Sequence, residues 1–195
     1  MKIAIIGATG HVGSAVTAEA LRRGHEVTAI LRLNDPDKGK LDSAVKVVEH
    51  DALALAKEDL AGYDAIVDGF ASPQSYQHID VAANLIKALP EDDKTKLIFV
   101  IGSSTLEKAD GTTLLADNQK QFAGAPWLAA TVQQSRKFEM LKWVTNVNWT
   151  AVTPNTDFEL GEKTGFKLGG DQVLTPTVED KSLISFGNFA AAILD

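Results

Sequence analysis

Three glycines, Gly7, Gly10 and Gly13, stand three apart in GATGHVG, directly after the apolar run KIAII. A turn from strand to helix with this spacing can hold a pyrophosphate. The first glycine allows the tight turn. The second lets the backbone approach the ligand, and the third lets the helix pack closely on the sheet. Ala8, Thr9, His11 and Val12 complete the loop. The amides from Thr9 to Val12 fall at a helix N-terminus, where the backbone dipoles favour an anion. Glycine spacing alone also fits a plain tight turn. The strand before it, the helix after it and its place in a first βαβ unit select the dinucleotide reading.

The second strand ends in Leu31-Arg32. Where such a strand end carries Asp or Glu, the carboxylate takes a ribose 2′-hydroxyl. An arginine fork suits a 2′-phosphate instead. Asp35 and Asp37 follow closely, so NAD stays open, while Arg32 favours NADP(H). Asp51 and Ala52 follow the third strand. There the carboxylate either reaches an adenine amino group or caps a short helix. Phe70, Ala71 and Ser72 follow the fourth strand and are expected to floor the cofactor site, because ligands bind outside the carboxyl ends of the strands. Pro154 and Phe158 follow the sixth strand, and Phe158 either stacks on a ring or anchors the C-terminal segment. DPDKGKLD resembles a calcium loop, but the twelfth position from Asp35 is Lys46, which excludes it.

Ser103 and Ser104, after the fifth strand, are the candidate catalytic residues. Many proteins of this fold pair such a serine with Tyr-x-x-x-Lys on the next helix. Here Tyr63 is followed four residues later by Val67, and Tyr76 by Asp80. Counting back from the sixth strand places the dyad near Thr131 and Ser135, with Arg136 and Lys137 beside them and no tyrosine. None of the four histidines forms HExxH, and no G-x-S-x-G elbow is present. His11 lies in the glycine loop. His78 starts a helix, either near the cofactor or, the favoured expectation, at the surface.

The elements that would position these residues alternate. Strands are expected at Lys2–Ile6, Glu26–Leu31, 45–49, 64–70, 97–101 and 149–152. Helices are expected over 11–23, 79–89 (closed by Pro90) and 133–144. The order implies right-handed βαβ units, an α/β doubly wound Rossmann fold and a mostly parallel sheet. The whole chain, 1–195, reads as one domain. Residues 155–195 form a small cap segment with a helix near 188–194. Residues 107–125 read as an irregular lid.

The 195 residues carry net charge −7 and no cysteine. The acidic balance speaks against nucleic acid, and the cysteine count excludes disulfides and thiolate chemistry. No apolar run approaches a membrane span and no signal-peptide pattern opens the chain, so a cytoplasmic protein with no membrane partner is expected. Oligomeric state stays open, a homo-oligomer included.

The chain resembles the atypical short-chain dehydrogenases, in particular the NmrA-like NAD(P)H-binding proteins and their NADH–flavin reductase group. KIAIIGATGHVGSAV, GHEVTAILR, YDAIVDGFAS and LIFVIGSSTL carry the likeness, and the tail NWTAVTPNTDFELGEKTGFKLGGDQVL with SLISFGNFAAAILD is its most specific part. Leu160 stands where related chains read proline, and Asn188 where they read aspartate. Related chains run a few residues past a similar ILD, so the resemblance implies continuation past Asp195. It also implies a nicotinamide cofactor and hydride transfer to a flavin (FMN or another) or a quinone-like, flat-ring acceptor. Such chemistry tolerates the missing dyad, because the rings need mainly to be held together. Two other readings remain: a non-catalytic NmrA-like regulator that senses dinucleotide, and a nucleotide-sugar epimerase or dehydratase.

Overall fold

In KIAII every second side chain belongs to the same face of the strand. Ile3 and Ile5 join one buried cluster, and Ala4 and Ile6 join another. A strand buried on both faces must be covered by helices on both sides. The computed structural model describes residues 1–89, 91–173 and 183–195, and of Asp92 and Asp93 only the backbone. Pro90, expected to close a helix, and Leu174, the end of the quoted tail, lie outside the described residues.

The chain runs β1 (Lys2–Ile6), α1 (His11–Arg22), β2 (Glu26–Leu31), β3 (Lys46–Glu49), α2 (Lys57–Leu60), β4 (Ala65–Asp68), α3 (Gln77–Ala88) and β5 (Asp92–Val100). It continues through α4 (Leu114–Gln121), α5 (Leu128–Leu141), β6 (Val147–Val152), β7 (Asp157–Glu159), β8 (Leu183–Ser185) and α6 (Phe186–Leu194). Six strands form one parallel sheet in the order β3-β2-β1-β4-β5-β6. This is the doubly wound Rossmann arrangement, whose order reverses between β1 and β4. One face is covered by Val81 and Leu85 of α3 with Leu141 of α5. The other is covered by Val16 and Ala20 of α1 with Phe189 and Ile193 of α6. Strands β7 and β8 form a separate parallel pair in the cap segment.

Three expectations change. Residues 107–125 are not wholly irregular, because α4 occupies their middle. None of its residues is buried, so its sequence carries no strong apolar stripe. Strand β5 starts at Asp92, five residues before the expected start at 97. There Asp92 pairs with Val147 before an irregularity that ends at Leu97. His78 is buried, not superficial.

Helices α1 and α6 are fastened by charge. Glu19 is 8% exposed and binds Arg22 Nε at 2.6 Å and Arg23 Nε at 2.8 Å. Arg23 then donates to the carbonyl of Ala191, which also accepts from the Asp195 amide, and to that of Leu194, one of the last carbonyls that a helix end leaves without an intrahelical partner. The Arg22 hydrogen bond first, with Arg23 beside it, lowers the Glu19 carboxyl from 4.5 to about 2 against opposing desolvation. The carboxyl is depressed in the folded chain, so its contribution is complete above about pH 4.5 and is lost as pH falls toward 2. Acid titration followed by circular dichroism should show that loss in the native chain. The Glu19→Gln variant should be less stable at pH 7 and have a flatter profile between those limits.

Candidate functional site

The glycine loop leaves β1 at the point where the strand order reverses. Gly7 has φ +76°, and a Cβ there would lie 2.5 Å from the Gly69 carbonyl oxygen. A Cβ on Gly13 would meet the Gly7 carbonyl, with the Gly7 carbon at 2.7 Å. These two glycines therefore let β1, its loop, α1 and the end of β4 close on one another. Gly10 is the N-cap of α1, so no side chain covers the helix end, and the first turn holds no acidic residue. The free amides and the positive end of the helix dipole fit a pyrophosphate. Ala8 is buried beneath the loop, while Gly10 and His11 are exposed and Thr9 and Val12 are half-buried.

Beyond β2, Asp35 is 9% exposed and its carboxylate is engaged within the loop. It accepts from the Asp37 amide at 2.9 Å and from Thr9 Oγ1 at 3.3 Å. Arg32 Nε lies 3.4 Å from the same carboxylate, yet the Arg32 side chain is 73% exposed. Its outward fork remains available to an anion.

The other expected residues divide. Asp51 Oδ1 accepts from the Leu53 amide and caps a short 3₁₀ turn that begins at Ala52, as the capping alternative held. Phe70 packs edge-on against His78, Ala71 is exposed, and Ser72 binds Gln74 and Gln77. Ser104 is buried and accepts from Asn118 Nδ2 at 3.1 Å, which ties α4 to the end of β5, while Ser103 is half-buried. Phe158 packs on Phe186 and Phe189, with ring centroids 4.1 and 5.1 Å apart. Its ring anchors the cap segment, the second of its two readings. Pro154 is buried and lines a cavity.

That cavity, of about 580 Å³, opens at the carboxyl ends of β5 and β6. Ile101, Thr105, Phe138, Pro154, Phe166 and Leu168 are among the residues that line it. Its size suits a drug-sized or cofactor-sized molecule. At its rim Glu107 exchanges backbone hydrogen bonds with Asp171 and Val173, joining the 107–125 segment to the cap.

Sequence reasoning missed the group beneath the floor. Lys137 of α5 and Asp68 at the end of β4 are each 1% exposed and lie 3.1 Å apart. Lys137 also donates to the Val100 carbonyl at 3.1 Å, and Asp68 Oδ1 accepts from the Phe70 amide. Burial, with the Lys137 charge next, holds the His78 imidazole below its ordinary value, while Asp68 pulls the other way. The lysine that reaches the strand ends is thus Lys137, two residues past the position counted from β6. Gln133, not a tyrosine, stands four residues before it. Gln134 presses so closely on Gly102 that a Cβ there would lie 2.5 Å from its Oε1.

A glycine loop at the reversal point of a six-stranded parallel sheet defines a dinucleotide-binding Rossmann protein. The chain belongs to the NAD(P)H-binding family, whose model matches residues 7–195. It is 32% identical to the uncharacterized protein YwnB of Bacillus subtilis over 200 residues, spanning all of this chain and 91% of that one. A Lactobacillus casei protein of known structure superposes with TM-score 0.91 at 36% identity, over all of this chain and 91% of that one. A Streptococcus pneumoniae structure, provisionally named an NADH-flavin reductase, gives 0.86 at 30% with the same coverage. The fold is that of NAD(P)H-binding oxidoreductases. Among the described residues no helix is long and apolar enough to cross a membrane.

Removing one member of a buried ion pair leaves an uncompensated charge and costs about 3–5 kcal/mol. Lys137→Met should therefore lose about that much in urea unfolding. The double variant Lys137→Met/Asp68→Asn should recover part of the loss, because neither residue then carries a buried charge.

Proposed function

We propose that the protein is an NADPH-dependent reductase of a flavin or quinone-like acceptor. The observation that carries this reading is Arg32, 73% exposed although its Nε pairs with Asp35 at 3.4 Å, beside a glycine loop whose helix end no side chain caps. Asp35, which could have served a ribose hydroxyl, is already engaged by Thr9 and Asp37. In this reading the α1 amides hold the pyrophosphate and Arg32 takes the 2′-phosphate. The Phe70–Ala71 turn, fixed from below by Asp68, supports the cofactor, and Ser103 stands at the end of β5. Bound NADPH supplies a hydride. A flat acceptor takes it at a ring atom and takes its proton from solvent, so no protein acid is required. The cavity beside Pro154 holds the acceptor and limits its approach to a reacting geometry. Gln133, at the position of the dyad tyrosine, has no ionisable proton and fits this division of roles.

The purified protein should oxidise NADPH at 340 nm with FMN, riboflavin or menadione above the rate without protein. NADPH binding with no oxidation above background refutes the reductase and favours the dinucleotide-sensing alternative. Arg32→Glu should weaken NADPH binding by roughly 100-fold and NADH binding by less than about threefold, as expected for loss of a charged hydrogen bond plus repulsion. Calorimetry with both nucleotides checks this, and equal losses show that Arg32 does not read the phosphate.

A further inference from the structure

The turn after β7 is held by the first residues of α6. Gly187 donates its amide to the Gly161 carbonyl at 3.0 Å, and a Cβ on Gly187 would lie 2.7 Å from backbone atoms of Glu162 and Lys163. Ser185 Oγ caps α6 by accepting from the Asn188 amide and donates to the Glu162 carbonyl at 2.8 Å.

Asn188 itself is buried and turns its carboxamide onto the same segment. Its Oδ1 accepts from the amides of Thr164 and Gly165, both at 2.9 Å, and its Nδ2 donates to Thr164 Oγ1 at 3.1 Å. Two backbone N–H groups on one oxygen fix the orientation of the carboxamide. Gly165 has φ +133°, a conformation that other residues rarely adopt. From Gly165 the chain runs directly into Phe166, Lys167 and Leu168, which with Asn188 line the cavity beside Pro154. The exposed wall thus starts from a strained turn whose two amides end on one buried side chain.

From these contacts we infer that Asn188 is a positioning residue for the acceptor. It sets the 165–168 wall without touching the cofactor loop. This rests on the reductase reading for the identity of the occupant, though the clasp can be tested without it. Removing the carboxamide leaves two amides to find other partners and loosens the wall, so acceptor binding falls while nucleotide binding stays. An aspartate at the same position keeps both accepting bonds, and the Thr164 hydroxyl can reverse to donate to it.

With menadione and FMN as probes, Asn188→Ala should raise acceptor KM about tenfold, with kcat within about threefold and NADPH affinity within about twofold. Asn188→Asp should return acceptor KM to within about threefold of the native value. Hydrogen exchange by NMR should show the Thr164 and Gly165 amides at least about tenfold faster in the alanine variant and near native in the aspartate variant. If Asn188→Ala does not fold, Thr164→Val serves, since it removes only the Nδ2 bond and should give a smaller rise in KM. A folded Asn188→Ala protein with native acceptor KM overturns the positioning role, as does an equal loss in NADPH binding. Native exchange at both amides overturns the clasp itself. A native protein that oxidises no NADPH with either probe refutes the reductase reading, and the clasp is then judged by exchange alone.

Discussion

The site depends on one buried ion pair. Lys137 and Asp68 are removed from water, a state that is strongly unfavourable for either charge alone. It is tolerated because each has further partners. Lys137 also meets the Val100 carbonyl and lies 5.6 Å from the centre of the Phe99 ring, while Asp68 also accepts from the Phe70 amide. The consequence is geometric. Helix α5 is fixed at the carboxyl ends of β4 and β5, where a bound dinucleotide would lie. A hydrophobic contact could hold the helix as firmly, but it would not fix the register of Phe70 through a directional bond. His78 belongs to the same buried environment, so its neutral form is favoured where a second cation would face Lys137.

A second constraint meets the first from the opposite side. The loop after β1 touches the turn after β4 backbone to backbone, at Gly7 and Gly69. The glycines at 7 and 13 therefore leave little slack between the two crossovers. Gly10 differs: a Cβ there would lie 3.3 Å from the Gly7 oxygen, a tight but smaller intrusion. Its importance lies on the ligand side, where it keeps the helix end uncovered. The floor turn is thus held by Asp68 from below and by Gly7 from the side, so it is preorganised before anything binds.

The succession of elements along the chain and the glycine loop were legible because periodicity and backbone sterics are local. Ile3 and Ile5 alternate with Ala4 and Ile6, and Gly24 follows α1 with φ +77°. What stayed hidden depends on partners distant in sequence. A buried lysine reads like a surface lysine until Asp68, 69 residues away, is placed beside it. The same holds for Asn188, whose partners lie 23 and 24 residues earlier. Helix α4 escaped because it buries no residue and so shows no clean apolar stripe. Phe158 is a different case. Both of its roles were visible in the sequence, and packing against α6 shows the anchoring one.

Helix α6 brings these parts together. Its first residue, Phe186, stacks on His11 of the glycine loop, with ring centroids 5.6 Å apart and planes at 21°. The same ring packs on Phe158 of β7, and two residues later Asn188 holds the cavity wall. One helical turn therefore touches both the glycine loop and the wall of the cavity beside Pro154. Hydride transfer between two flat rings falls off steeply with misplacement, so relative position matters more than any acid or base. The sequence holds no Tyr-x-x-x-Lys pair, so in the proposed reduction the protein would contribute chiefly that alignment. In that reading the contacts of α6 with the glycine loop and with the cavity wall would supply it.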